Sequence, residues 1–270
     1  MYRRCDGRAK VRPMSADKDP NGQHSPLLSV VVPVRNRAGQ RLENCLRSLR
    51  WQDVDASQIE IVLSDFGSDD TYKKAIQELG DAYQCKVVYT ATETLWNRSR
   101  ALNIGVRACR GKYLLCTDAD MIFEANFLSS LLKEQDLAKD KAFVLCRCRD
   151  LPESVPEQGW QAEDYPELLD KSHFRERFGV GACQMATKDF FMTVHGYDEG
   201  YVFWGCEDRD MAFRAERFGL THHWVHDHTS MLHQWHPTTR HDRPIRKMMN
   251  DIRFHITKYR VVKNGRRWGV

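Results

Sequence analysis

Short apolar runs rich in β-branched residues alternate along this chain with segments of helical periodicity, and that alternation admits few folds. Leu27–Val34 is almost wholly apolar, the pattern of a strand covered on both faces. Ile59–Leu63, ending at Ser64-Asp65, Lys86–Tyr89, Lys112–Thr117 and Ala142–Cys148 read as further strands. Between them, Gln40–Trp51 sets Leu42, Cys45, Leu46 and Leu49 on one helical face. Gly67–Thr71 is a turn and N-cap for a helix from Tyr72 to Leu79. Arg98–Arg110, closed by Gly111, and Phe127–Glu134 are the next helices. Such alternation predicts an α/β protein whose mostly parallel sheet carries helices on both faces. Ligands of such sheets bind at the carboxyl ends of the strands.

The second half is less regular. Leu151–Phe178, rich in Pro, Glu and aromatics, reads as an excursion covering a cleft. Phe178–Met185 reads as a strand softened by Gly179 and Gly181, where backbone approaches a substrate closely. A helix follows from Glu207 to Phe218. Residues 1–25 are polar and turn-rich, a mobile tail; 26–241 form one domain; 242–270 form a basic C-terminal extension packed on it. Lys258–Arg267 is a basic run: a solvated face, or a weak contact for an anionic acceptor or membrane surface.

An apolar content of 41% supports a sizeable core, and a net charge of +4, mixed in sign, gives no sign of nucleic acid. No run of ~18 apolar residues is present to span a membrane. Leu27–Val34 is too short for a secretory signal and follows a polar opening, so a cytoplasmic protein is expected. The nine cysteines are scattered, without a CxxC pair, which fits free thiols in a reducing compartment. Strand alternation explains Cys146-Arg147-Cys148 better than zinc does.

Four places carry chemistry. Lys112–Met121 is an apolar run ending in Asp118 and Asp120, two carboxylates at i, i+2. At a strand end both can enter a cleft and hold Mg²⁺ or Mn²⁺ with a diphosphate, although Asp-x-Asp is also an ordinary turn. Asp65 falls at another strand end. Glu207 and Asp208 open a helix behind the aromatic, glycine-containing loop Tyr201–Gly205. There a carboxylate either complements the helix dipole or deprotonates an acceptor hydroxyl. In the histidine-rich stretch His222–His241, one imidazole of His233-Gln234-Trp235-His236 can complete a metal shell begun at Asp120, and a mixed oxygen and nitrogen shell favours Mn²⁺ over Mg²⁺.

In this order, strand–Asp, Asp-x-Asp, Trp-Gly-x-Glu-Asp and His, the chain resembles family 2 glycosyltransferases from about Leu27 to His241. The flavour is similar to the chondroitin-polymerase and galactosyltransferase-like branch, through Asn97–Gly105 and Trp204–Asp208. The resemblance implies the GT-A fold, a Rossmann-like sheet with an irregular acceptor-side C-terminal region. It implies that Pro33, Val34, Arg35 and Asn36 line a nucleotide pocket and that Asp65 bonds the base. Arg100 would approach the diphosphate or pocket wall. Asp118, with Ala119 beside it, would face the ribose and metal. Asp120 and His233 would ligate the metal, with His236 on a phosphate. Asp208 would be the general base and Glu207 would orient a sugar, with Trp204 and Gly205 against the sugar ring. Two departures stand out: Leu102 where relatives often carry Arg, and Cys206 where a second Gly is common.

The activity implied is metal-dependent transfer of a sugar from a UDP- or GDP-sugar to a hydroxyl of a glycan or small glycoside, with inversion. A retaining transferase and a non-catalytic nucleotide-sugar or glycan-binding module are the alternatives. A nucleotidyltransferase would need a Gly-rich basic loop after the first strand, and Arg35–Gly39 is a poor version of one.

Overall fold

A computed structural model describes residues 25–176, 179–203, 205–237 and 244–270. Trp204, Phe178 and nearly all of the polar N-terminal tail lie outside them. The main sheet contains β1 (Leu28–Val34), β2 (Ile59–Phe66), β3 (Lys86–Thr90), β4 (Tyr113–Cys116), β6 (Ala142–Leu145), β9 (Gln184–Thr187) and β10 (Thr221–Trp224). Its order is β3-β2-β1-β4-β9-β6-β10, and β9 alone runs antiparallel to its neighbours. A smaller sheet orders β5 (Met121–Phe123), β11 (Met231–His233), β7 (Arg149–Asp150) and β8 (His173–Phe174).

Successive strand residues face opposite sides, so the sheet separates two apolar layers. Val30, Val32, Leu63 and Leu115 pack against α1 (Gln40–Arg50), Ile76 of α2 (Asp70–Ala82) and α4 (Phe127–Leu137). Val31, Val62 and Leu114 pack against α3 (Arg98–Ala108), α6 (Lys188–Thr193) and α7 (Glu207–Phe218). This is the α/β arrangement expected. The helix starts were legible: Asp69 accepts from Tyr72 N at the head of α2, and Asn97 accepts from Arg100 N at the head of α3. Two further helices, α5 (Tyr165–Lys171) and α8 (Pro244–Thr257), complete the set.

The strands differ from expectation in two places. Ala142–Cys148 is not one strand: pairing stops at Leu145, and the chain pairs again at Arg149–Asp150 with the small sheet. Cys146 and Cys148 stay buried, so the apolar alternation is a burial pattern rather than a ladder. The glycine-softened strand begins pairing only at Gln184, because Gly181-Ala182 form a turn instead.

Register delivers the polar residues to one edge. Val34 lies opposite Asp65, and Val31 lies opposite Cys116, two residues before Asp118. The C-terminal segment is tied down by Arg253 to Asp198 (2.7 and 2.8 Å), by Lys263 to Asp210, and by the buried ring of Trp268. The described cysteines are all free thiols. Among the described residues no helix is long and apolar enough to cross a membrane.

Candidate active site

At the end of β1, Pro33 and Val34 are buried, and the loop beyond is latched to the loop after β2. Asn36 N donates to Ser68 Oγ (2.8 Å), while Asn36 Oδ1 accepts from Asp69 N (2.9 Å). Arg35 donates to the Thr94 carbonyl. Asp65 is fully buried; its Oδ1 accepts from Ser68 N (3.1 Å), and its Oδ2 has no partner. Burial pushes its carboxyl above the ordinary range despite the Ser68 hydrogen bond. An acceptor left unpaired in the interior is costly unless a ligand completes it. Arg100 turns elsewhere, donating to the Val270 carbonyl (2.6 Å) and lying over the Phe66 ring. Leu102 is fully buried in the core.

The small sheet assembles the next group. β5 starts immediately after Asp120, and antiparallel register sets His233 of β11 opposite Met121. Parallel register sets Asp150 of β7 opposite His233 on the other side. Asp120 is 3.1 Å from His236 Nε2, 3.9 Å from His233 Nε2 and 2.9 Å from Arg37 Nη1. The ligand atoms of Asp120, His233 and His236 lie within 4.8 Å of one another. His233 Nδ1 is 3.1 Å from Asp150 Oδ1, the carboxylate–histidine contact that leaves Nε2 free for a ligand. Burial alone would raise the Asp120 carboxyl, but the His233 charge and the His236 and Arg37 contacts hold it well below its usual range. The hydrogen bond to Asp120 raises His236 in turn. A carboxylate and two imidazoles with a fixed tautomer form a donor set that fits a divalent cation, and mixed oxygen and nitrogen donors suit Mn²⁺. The sequence pointed to Asp120 and His233; the structure adds His236 to this cluster, with Asp150 behind it.

Asp118 faces away from this group, towards Arg98, whose Nε and Nη2 reach it at 2.8 and 2.7 Å. Arg98 also donates to the Gly181 carbonyl (2.9 Å), and its buried Nη1 stands 3.9 Å from Glu207 without a hydrogen-bond partner. Arg98 thus joins the Asp-x-Asp segment to the acid pair. It lies in the Asn97–Gly105 stretch that carries the family resemblance, but no role was read for it there, since it follows the N-cap Asn97 like any first-turn residue.

Glu207 and Asp208 open α7 behind a backbone that few side chains tolerate. Phe203, Gly205 and Cys206 have φ of 75°, 104° and 77°, so Cys206 occupies a left-handed position that glycine favours. Its thiol donates to Asp251 of α8 (3.1 Å). Space is open where a Gly205 side chain would be. A Cβ on Gly181 would lie 2.9 Å from Asp208 Oδ2, so the turn before β9 is moulded to that carboxylate. Burial, together with the adjacent Asp208 charge, pushes the Glu207 carboxyl up to about 7 against the pull of Arg98.

A fold of this order, with a metal-fitting cluster beyond one strand end and an acid pair joined to the Asp-x-Asp segment through Arg98, defines a GT-A-type scaffold. The chain belongs to glycosyl transferase family 2, whose family model matches residues 29–194; the model described as the N-terminal domain of galactosyltransferase matches residues 167–237. It is 27% identical over 251 residues to validoxylamine A glucosyltransferase of Streptomyces hygroscopicus subsp. limoneus, covering 81% of this chain and 55% of that protein. The chain thus spans about half the length of the curated relatives it matches. Among solved structures, the mannosyltransferase PcManGT of Pyrobaculum calidifontis with GDP-Man and Mn²⁺ superposes with TM-score 0.59 at 19% identity, over 94% of this chain and 69% of that one. S. aureus TarS in complex with UDP gives 0.57 at 18%, over 78% and 61%. These likenesses establish the fold.

Proposed function

We propose that this chain carries the catalytic domain of a metal-dependent, inverting transferase that moves a sugar from a UDP- or GDP-sugar to a hydroxyl acceptor. The observation that carries the reading is the Arg98 link between two groups: Asp118/Asp120 with the histidines, and Glu207/Asp208. Asp120, His233 and His236 would hold Mn²⁺, with Mg²⁺ as the weaker fit. The cation, when bound, neutralises charge on the departing diphosphate. A nearby phosphate contact for His236 is compatible with that role.

Pro33, Val34, Arg35 and Asn36 would line the nucleotide pocket, with Asp118 and Ala119 on the ribose side. The unpaired Asp65 Oδ2 accepts, so it needs a base that offers an N–H. Uracil and guanine offer a ring N–H there, whereas cytosine and adenine offer only an exocyclic amine. Relatives of the same fold solved with UDP and with GDP-Man and Mn²⁺ support the same choice. Arg100 would support the pocket wall through Phe66. Asp208, held against Gly181, would take the acceptor proton on the face opposite the leaving group, and Glu207 would orient a sugar hydroxyl. Gly205, and Trp204 beside it in sequence, would offer the sugar face.

The test is thermal shift with UDP, GDP, CDP and ADP, each with Mn²⁺, Mg²⁺ or EDTA. A selective, metal-dependent shift with UDP or GDP, lost in Asp120→Ala, is expected. An equal shift with all four diphosphates, or one insensitive to EDTA, overturns the reading. Product stereochemistry by NMR separates inversion from retention.

A further inference from the structure

Helix α8 is amphipathic in the wrong sense for a helix packed on a core. Ile245, Met248, Met249, Ile252 and Ile256 recur at helical spacing on one arc of roughly 100°, and each is 50–72% exposed. The face turned to the protein is instead polar and aromatic. Asn250 bonds the Val202 backbone, Arg253 grips Asp198, and Phe254 packs edge-on to Phe213. These contacts fix which way the helix faces, so the apolar arc is held outward. A groove of about 570 Å³ runs along it between Met248, Ile252 and Ile256.

The charge around this arc is predominantly positive. Residues 244–270 hold eight lysines and arginines against Asp251 alone, while the whole chain carries only +4, so the remainder is net acidic. Arg246 rises exposed from the helix, and Lys258 and Arg260 follow it directly, while Lys247 pairs with Asp251 and Arg253 and Lys263 are engaged by Asp198 and Asp210. Tyr259 and Val262, 62% and 46% exposed, extend the apolar surface past the helix end. A second copy pairing through this face would bring basic rim against basic rim. An anionic bilayer answers both features at once: acyl chains take the apolar arc, and headgroup phosphates take the cations.

We propose that α8 and the basic segment after it form a docking surface for an anionic phospholipid membrane, with the helix lying in the interface plane. Asp251 on the same helix accepts from Cys206, directly before Glu207, so docking fixes the orientation of the acid-pair loop relative to the bilayer. The inference is independent of the transferase reading.

Vesicle co-sedimentation of the full chain tests it, with phosphatidylcholine alone or mixed with phosphatidylglycerol. A variant carrying Met248→Ser, Met249→Ser, Ile252→Ser and Ile256→Ser keeps every charge and alters only exposed side chains. Circular dichroism and nucleotide thermal shift check that it folds. The wild type is expected to sediment with the anionic vesicles and not with the neutral ones, and the variant to lose partitioning by about tenfold or more. Three results overturn the proposal. The wild type stays in the supernatant; the variant partitions as the wild type does, which is adsorption by charge alone; or light scattering shows a wild-type dimer that the variant dissociates.

Discussion

Glu207 is a carboxyl whose protonation changes near neutral pH. Its carboxyl titrates at about 7 because it is buried beside Asp208, whereas an unfolded chain would hold it near 4.5. A carboxyl raised on folding binds its proton more tightly in the native state. Its contribution to stability is therefore complete below about pH 4.5 and is lost as pH rises through 7. Glu207→Gln removes that loss: the variant gains on the wild type by up to about 3 kcal/mol between pH 4.5 and 8, read from urea midpoints without metal. A constant difference across that range would show that Glu207 is not raised. Asp150 is a residue of another kind, acting through His233. Asp150→Asn keeps the shape but weakens the fixed tautomer, and should lower Mn²⁺ affinity about 10–100-fold by calorimetry in the presence of nucleotide. An unchanged affinity would remove His233 from the shell. Asp120 and the His233–His236 pair were conspicuous, as a carboxylate after a strand and imidazoles in a cluster, and the choice of His233 as ligand came from the family resemblance. Asp150 and Arg98 were not, because each is an ordinary charged residue until the fold sets it against a partner.

Most strands of four residues or more were readable from apolar runs, though β10, Thr-His-His-Trp, was not, and neither were those that bring Asp120 to its histidines. β5, β7 and β11 are two or three residues long, too short for any periodicity, and are held by mutual register rather than by propensity. The turn before β9 shows the same limit. Its glycines suggested close backbone approach, and the structure supplies the neighbour: Gly181 meets Asp208 at the start of α7. Gly181→Ala would set a methyl 3.3 Å from Asp208 Cβ and closer still to its carboxylate. The carboxylate must move, and displacing Asp208 from the proton-accepting role proposed for it would cost rate rather than binding. The expected outcome is kcat down about 10- to 100-fold with the nucleotide thermal shift unchanged. An equal loss in both would mean that the turn, not the carboxylate, had been disturbed.

Across the whole molecule, the C-terminal segment joins the two halves of the acid-pair region, and it does so through buried charge. Lys263 is 2% exposed and reaches Asp210 of α7 and Asp198 of the preceding loop, both fully buried. Arg214 and Arg253 share those carboxylates, so two anions and three cations form one network beneath the start of α7. Burial pulls the Lys263 amine below its usual range, against the opposing pull of Asp210 and Asp198. Such networks add little over an apolar replacement of the whole set, but removing one member leaves the rest uncompensated. Lys263→Met should therefore cost about 3–5 kcal/mol, seen as a lower urea midpoint at pH 7. Arg253 is more exposed than Lys263 and has solvent to compensate its carboxylate, so Arg253→Met should cost less. The ordering of the two variants is the decisive observation. If Arg253→Met proves the more damaging, the segment is held by the α8 clasp on Asp198 and not by the ammonium under α7.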